Sequence, residues 1–277
     1  MQDIHDEIKT LENPFGKIEK VTKRFVCKKH GDVHGFIFVR DGKPLFKDSV
    51  ECPLCEKERI DAEAERERQE ADERAEKKRI RKYAEMNIEP EFYEKTLGDY
   101  KPQTERQSEF REAVRTLIER KAGKLIVLGG NGTGKSMLGA VAAKSMDGVI
   151  YTVFQLSLKI RSLGKNDMSE WQFANSLIDA PLLVIDEVGR SKGSEFELNL
   201  LSYILDKRHT RNKPFMILSN THFSRDCPHG SRGCERCFER YFDNDLLSRF
   251  RQDGKFIEFE KDAPDWRDPR NKGLFGK

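Results

Sequence analysis

One stretch of the chain carries the residue types that hold a nucleoside triphosphate. Residues 129–136 read GGNGTGKS and match the pattern G-x-x-x-x-G-K-[ST] at each fixed position. Glycines let consecutive backbone N–H groups point at phosphate oxygens, and the helix that follows adds its positive end. The Lys135 ammonium can reach the β- and γ-phosphates, and the Ser136 hydroxyl can ligate Mg²⁺. The sequence therefore predicts that Mg-ATP is bound by Gly129, Gly130, Asn131, Gly132, Thr133, Gly134, Lys135 and Ser136.

A pair of carboxylates ends another apolar run, PLLVIDE. Asp186 and Glu187 would lie at the carboxyl edge of a central strand, where an α/β sheet opens its crevice. Asp186 suits the Mg²⁺ shell, and Glu187 suits the polarising of an attacking water, which favours hydrolysis over transfer to a small molecule. Asn220 ends the run FMILSN and could position that water, although Asn also commonly terminates strands.

The first three cysteines have metal-ligand spacing. Cys27-x2-His30 is followed, after 21 intervening residues, by Cys52-x2-Cys55. Three thiolates and one imidazole complete a tetrahedral zinc site with no open position for chemistry. We expect a structural zinc there, with His34 as a competing ligand.

The other three cysteines lie in the segment RDCPHGSRGCERC. Cys234-x2-Cys237 is a second knuckle, and Cys227 lies upstream, with His229 as the preferred fourth ligand and His222 as the alternative. Cys-x-His brings its ligands awkwardly close, and three reduced thiols are also tolerable in a cell. Because no nucleophile is paired with a base, a second metal would be structural rather than reactive.

Five short apolar runs must position these residues: KLIVLGG, GVIYTVF, PLLVIDE, PFMILSN and KFIEFE. With helical segments between them, they predict a three-layer α/β domain around a parallel sheet that is buried on both faces. Residues 56–85 consist almost wholly of Glu, Arg, Lys and Ala. Their acid–base pairs at i,i+4 and the lack of an apolar seam predict a solvated helical spacer, with a partner-binding or nucleic-acid-binding arm as the alternative.

The chain therefore divides into three predicted parts. A zinc-binding module occupies residues 1–55, a charged helical linker residues 56–86, and a P-loop ATPase domain residues 87–277, with a cysteine-rich insertion at about 222–238. Of the 277 residues, 36% are charged, but the net charge of +3 does not identify a nucleic-acid binder. We find no signal peptide or membrane span and expect a cytoplasmic protein without a membrane partner.

With these residues in view, the chain resembles the AAA+ ATPases of the DnaC/IstB type, particularly the replicative helicase loaders of bacteria and phages. The resemblance covers roughly residues 85–262 and rests on the loop at 129–136, LLVIDEVG, ILSN and LLSRFRQDGKFIEF. It implies a minimal AAA+ core that hydrolyses Mg-ATP slowly, self-associates and is stimulated by partners. By motif position Arg249 is the arginine finger, with Arg251 as the near alternative, and Asn220 is a sensor residue.

The resemblance also implies partners. A replicative hexameric DNA helicase would bind the N-terminal module, and single-stranded DNA would contact Lys159, Arg161, Ser194 and Phe196. For Phe196 the alternative is packing of its helix on the sheet. Three other functions stay open: an IstB-like transposition helper ATPase, a non-hydrolysing ATP-gated DNA adapter, and a small-molecule kinase, which the Asp–Glu pair and the arginine segment disfavour.

Overall fold

The N-terminal part is a β-hairpin followed by a long helix. The computed structural model describes residues 18–45, 52–163, 169–190, 195–223, 227, 234 and 236–268. Strand β1 (Ile18–Cys27) pairs antiparallel with β2 (Gly31–Arg40), and the short β3 (Lys43–Pro44) pairs with β2. Gly31 has a φ of +69°, which allows the tight turn that opposes Gly31 to Cys27. The hairpin turn therefore presents the Cys27–His30 knuckle.

Helix α1 (Pro53–Glu85) covers the charged segment, and none of its side chains is buried. Ion pairs at i,i+4 lie along it, among them Arg81–Glu85 at 3.0 Å. The chain divides into two compact units, Met1–Lys77 and Lys78–Lys277. The last turns of α1 belong to the second unit, because Lys82 pairs with Asp147 at 2.5 Å and the Met86 carbonyl accepts from the Ile150 N–H.

The second unit contains the predicted parallel sheet of five strands. The strands are β4 (Lys124–Leu128), β5 (Val149–Thr152), β6 (Leu183–Val188), β7 (Phe215–Ser219) and β8 (Gly254–Glu258). Their spatial order is β5-β6-β7-β4-β8, and the neighbouring strands are parallel. The order places β7 between the strand that precedes the P-loop and the strand that carries Asp186.

Within the described residues, six helices flank the sheet: α2 (Glu105–Arg120), α3 (Lys135–Ser145), α4 (Val153–Ser162), α5 (Glu170–Asp179), α6 (Glu195–Thr210) and α7 (Asn244–Asp253). Alternate strand residues point to opposite faces, so Ile126 joins the core with α4 to α7, and Leu125 joins the core with α2 and α3. The three-layer α/β architecture predicted from the apolar runs is confirmed.

One predicted boundary was wrong. The run GVIYTVF was expected to be a strand, but β5 ends at Thr152 and α4 begins at Val153. The reason is a capping box at Thr152: its hydroxyl accepts from the Gln155 N–H at 3.0 Å, while the Gln155 side chain accepts from the Thr152 N–H at 2.8 Å. Among the residues described, no helix is long and apolar enough to cross a membrane.

Candidate nucleotide-binding site and metal centres

The P-loop joins the end of β4 to the first turn of α3. Its glycines are required by geometry at two positions. Gly132 has a φ of +67°, and a Cβ there would lie 1.5 Å from a carboxylate oxygen of Asp265. Gly134 has a φ of +81°, and a Cβ there would lie 2.5 Å from the ring of Tyr100. The left-handed backbone and the close neighbours explain why this turn needs glycine.

Lys135 lies inside this loop with only 5% of its surface exposed. Its ammonium donates to the carbonyls of Gly129 at 3.0 Å and Gly130 at 2.6 Å, and to the Thr133 hydroxyl at 3.1 Å. Burial lowers the pKa of Lys135 to about 8, because desolvation penalises the cation. A buried cation held mainly by neutral oxygens favours the arrival of an anion. The loop therefore fits the phosphates that the sequence predicted.

Asp186 and Ser136 lie together, as a shared Mg²⁺ site requires. Asp186 is 6% exposed near the end of β6, and its carboxylate accepts a hydrogen bond from Ser136. Burial raises the pKa of Asp186, and the bonds from Ser136 and from the Glu187 N–H oppose that rise. A hydroxyl and a carboxylate at one position are hard oxygen donors of the kind that Mg²⁺ prefers.

Glu187 has an unusual backbone. Its φ of +56° is rare for a residue with a side chain, and the register between β6 and β7 shifts there, between Ile185 and Val188. Strained residues of this kind cluster at functional sites. The Glu187 carboxylate forms an ion pair with Arg190, three residues along the loop.

These residues share one cleft of about 190 Å³, which is lined by residues 131–137, Asp186, Glu187 and Asn220. Asn220 directly follows β7, which lies between β6 and β4 in the sheet. The strand order therefore brings Asn220 to the cleft, although it is far from the P-loop in sequence. The structure thus brings together the predicted P-loop residues, the carboxylate pair and the sensor residue.

The cleft also contains residues that the sequence reasoning missed. Trp266 and Arg267 line it from the C-terminal segment that follows β8. The backbone N–H of Trp266 donates to the Gly132 carbonyl at 2.9 Å, and the centre of its ring lies 4.9 Å from that of Tyr100. Tyr100, fully buried, donates from its hydroxyl to the Thr133 carbonyl at 3.0 Å. The available signal in the sequence was Trp266 itself, because it is one of only two tryptophans in the chain and lies in a polar segment.

The first cysteine group converges as predicted, with Cys27, His30, Cys52 and Cys55 each offering one ligand atom within 4.8 Å of the others. The Nδ1 atom of His30 lies 3.5 Å from the Cys52 sulfur and 3.3 Å from the Cys55 sulfur. A tetrahedral zinc would separate nitrogen and sulfur ligands by about 3.5 Å. The Nε2 atom of His30 contacts the Glu58 carboxylate at 3.1 Å, an outer contact common among zinc-bound histidines. His34, the competing ligand, is not in this group.

The second cysteine group also converges, but with the alternative histidine. His222, Cys227, Cys234 and Cys237 each offer one ligand atom, and these atoms lie within 4.8 Å of one another. His229, which the spacing preferred, lies outside the described residues. All six cysteines of the chain are free thiols in the structure.

The sequence model of a protein family described as IstB-like ATP binding protein matches residues 45–226, which is more than half of the chain. The chain belongs to this family.

Curated relatives of this IstB-like protein are helicase loaders. It is 28% identical over 191 residues to the replicative helicase loader DnaC of Escherichia coli strain K12, covering 65% of this chain and 76% of the relative. DnaC of Buchnera aphidicola is 29% identical over 110 residues, covering 37% of this chain and 45% of the relative. A crystal structure of the DnaC helicase loader shares the fold, with a TM-score of 0.50, 18% identity, and coverage of 62% of this chain and 100% of the other. The predicted DnaC/IstB-type AAA+ identity is confirmed.

The predicted arginine finger of this IstB-like domain lies on α7. Arg249 is about half exposed and pairs with Asp206 of α6 in the same chain. Arg251, the near alternative, is exposed in the same helix. The structure therefore leaves both side chains at the surface, with Arg249 partly engaged.

The predicted DNA contacts fall on two neighbouring helices of the IstB-like domain. Lys159 and Arg161 are exposed near the end of α4, and Arg161 pairs with Glu197 of α6 at 3.0 Å. Phe196 is 53% exposed, so it does not pack on the sheet as the alternative supposed. Ser194 lies outside the described residues.

Proposed function

We propose that this chain is an ATP-dependent loader of a replicative DNA helicase, acting in the bacterial cytoplasm or in that of a phage host. The observation that carries the proposal is the 28% identity to DnaC along 76% of that protein. Family membership by itself supports an ATP-binding domain, because the matching profile describes IstB-like ATP binding proteins. The cleft adds the residues that such a loader needs for nucleotide turnover.

The proposed reaction is hydrolysis of ATP to ADP and phosphate. Bound Mg²⁺ neutralises charge on the phosphate oxygens. Ser136 and Asp186 would hold that ion, and Lys135 would exchange its carbonyl partners for phosphate oxygens. Glu187 would accept a proton from the attacking water, with Asn220 orienting that water. Arg267, which the sequence reasoning missed, would provide a second cation at the cleft in addition to Lys135.

Two ion pairs support a slow basal rate. The Glu187 carboxylate is paired with Arg190, so it must leave that arginine before it can bind the water. Arg249 is paired with Asp206, so it must leave that aspartate before it can reach the ATP of a neighbouring subunit. Partner binding would shift both equilibria, and this accounts for stimulation by the helicase and by self-association.

A structural zinc at Cys27, His30, Cys52 and Cys55 would stabilise the N-terminal unit. The donor set of three thiolates and one imidazole fits a closed tetrahedral site, and the measured ligand separations match it. The ligands come from the hairpin turn and from the start of α1, so the zinc would join these two elements. We propose this unit as the helicase-binding part of the loader.

Single-stranded DNA would bind across the ends of α4 and α6. Exposed Lys159 and Arg161 would contact phosphates, and exposed Phe196 would stack on a base. The ion pair between Arg161 and Glu197 ties the cation to the helix that carries Phe196. The positive charge and the aromatic ring therefore lie on adjacent helices, so one single strand of DNA could contact both.

The decisive test of the proposed function is complex formation. We would mix the full chain with the replicative helicase of the same cell, with and without Mg-ATP, and measure the mass of the complex by light scattering after gel filtration. A complex that forms with the native chain and is lost in Cys52→Ser/Cys55→Ser would support loading and locate the binding unit. Lys255→Ala, an exposed change in the other unit, is the control. Absence of a complex under both nucleotide conditions contradicts the proposal.

A transposition helper ATPase is the second candidate, because the matching family profile is itself named IstB-like. It shares the cleft and differs only in its partner. The same mass measurement with a transposase in place of the helicase separates the two. A non-hydrolysing adapter is tested by phosphate release in the presence of helicase and single-stranded DNA, where turnover rules it out.

A further inference from the structure

The segment between β7 and α7 holds a metal-ligand group that the nucleotide chemistry does not use. Its four members are His222, Cys227, Cys234 and Cys237, with ligand atoms within 4.8 Å of one another. The Nε2 atom of His222 lies 3.5 Å from the Cys234 sulfur and 3.7 Å from the Cys237 sulfur. These separations fit the roughly 3.5 Å expected between nitrogen and sulfur ligands of one tetrahedral zinc.

The Cys234 knuckle shares one backbone hydrogen bond with the N-terminal knuckle. The N–H of Arg236 donates to the Cys234 sulfur at 3.4 Å, two residues back. The N–H of Lys29 donates to the Cys27 sulfur at 3.4 Å, also two residues back. A backbone donor on the sulfur favours the thiolate form, which is the form that binds metal. The first cysteine sulfur of each knuckle therefore accepts a backbone N–H from two residues ahead.

The group is anchored to catalytic elements on both sides. His222 is two residues beyond Asn220, and its N–H and carbonyl bond to Arg236 at 3.1 Å and to Phe238 at 2.9 Å. Beyond Cys237, the Tyr241 hydroxyl donates to the Gly189 carbonyl at 3.2 Å, in the loop that follows Glu187. Helix α7, which carries Arg249, begins three residues later at Asn244.

We propose that His222, Cys227, Cys234 and Cys237 form a second structural zinc site, which fixes the sensor residue Asn220 relative to the start of α7. The three thiolates select a soft ion, and a set of four protein ligands leaves no open position. The sequence between Phe223 and Cys237 is mostly polar and offers little apolar surface to bury, so a bound metal would supply a constraint on its path. The metal site itself does not depend on the proposed loading function, and its effect on turnover rests only on the proposed ATP hydrolysis and not on helicase binding.

The test is the metal content of the purified full chain, measured by mass spectrometry of zinc and iron after extensive dialysis. We expect two zinc ions per chain in the native protein, one in Cys234→Ser and one in Cys52→Ser. His222→Ala, which removes the imidazole ligand and leaves the thiols in place, should also contain one. His229→Ala should retain two.

The result that overturns the proposal is a native chain whose zinc content is unchanged by Cys234→Ser. Loss of one zinc in His229→Ala with retention of two in His222→Ala would overturn the choice of histidine. If only the second site binds zinc, the native chain should contain one zinc ion. Cys234→Ser would then remove that ion, and Cys52→Ser would not.

A second measurement tests the positioning role. With ATP binding followed separately by calorimetry, His222→Ala should bind ATP like the native chain while its turnover falls about tenfold, the size typical of losses around metal ligands. His229→Ala should keep native turnover. Unchanged turnover in a chain that has lost this zinc would show that the metal does not position the cleft, and failure of helicase binding would not affect this readout.

Discussion

Glu187 carries the most specific chemical assignment in the cleft. Its positive φ and its ion pair with Arg190 show that the carboxylate is held at the rim by the local backbone. The residue type and its place after an apolar strand were readable from the sequence. The strained conformation was not, because it arises from the register shift between β6 and β7.

Replacing Glu187 by glutamine should separate ATP binding from hydrolysis. The amide keeps the shape but cannot accept the proton of the attacking water, so we expect turnover to fall about 100-fold or more with ATP affinity retained. Phosphate release and calorimetry measure the two quantities. Lys135→Ala should abolish binding, and the exposed Glu119→Gln should change neither. Intact hydrolysis in Glu187→Gln would refute the assignment of this residue as the base.

The burial of Arg208 could not be predicted from its residue type. In DKRHT it looks like a surface charge, yet it is fully buried. Its guanidinium donates to the carbonyls of Ile178 at 3.1 Å and Ala180 at 2.9 Å, and to those of Leu177 and Pro214. Burial lowers the pKa of Arg208 to about 10. The guanidinium therefore provides hydrogen-bond donors to backbone carbonyls both at the end of α5 and just before β7.

Arg208→Ala should therefore destabilise the second unit. Four carbonyls would lose a charged donor inside the protein, and we expect the free energy of unfolding to fall by about 3 kcal/mol. Chemical denaturation followed by circular dichroism measures the change. Arg211→Ala, which removes a half-exposed partner of Asp179, is the matched control and should have little effect. Equal losses in the two variants would contradict the structural role of Arg208.

At the level of elements, the sheet was the most predictable part. The central strands β4, β6 and β7 are largely apolar and almost wholly buried, because parallel strands with helices on both faces bury their side chains, whereas the edge strands β5 and β8 are partly exposed. The C-terminal segment was not predictable, since Ala263–Asp268 forms no repeating pattern. Its place is decided by single contacts with the P-loop and Tyr100, which are tertiary interactions.

The C-terminal segment should tune ATP affinity. Arg267 lines the cleft and adds positive charge beside Lys135, and its charge contributes, after burial, to the lowered pKa of that lysine. Arg267→Ala should weaken ATP binding about tenfold, which corresponds to the loss of one charge-assisted contact. Calorimetric titration measures it. Lys261→Ala, on the exposed part of the same segment, should bind ATP normally; similar weakening in both variants would point to a general effect of charge.

At the level of the whole molecule, the sequence predicted some features of the two compact units better than others. Cysteine spacing located the metal ligands of the first unit, and charge composition located the helix that links it to the second. Which histidine joins the later cysteines was beyond spacing arguments. His222 is placed by its backbone hydrogen bonds with Arg236 and Phe238, which are tertiary contacts that ligand spacing does not reveal.

Mixed assemblies test whether Arg249 acts between subunits. Lys135→Ala lacks its own ATP but keeps the finger, whereas Arg249→Ala binds ATP but lacks the finger. Each alone should be inactive in the presence of helicase, and a mixture should recover turnover, because the intact Arg249 serves the intact site next to it. Arg251→Ala should remain active alone. A mixture that stays inactive while Arg249→Ala binds ATP normally would contradict action in trans.

The contact of Trp266 with the P-loop has an optical consequence. The chain has two tryptophans, and the other, Trp171, is 63% exposed on α5. The Trp266 ring packs against Tyr100, and its backbone N–H bonds to the Gly132 carbonyl, so movement of the phosphate loop should change the surroundings of the indole. Trp171→Phe would leave emission from a single fluorophore beside the bound nucleotide. The protein thus contains its own label for following nucleotide exchange in real time, without an attached dye.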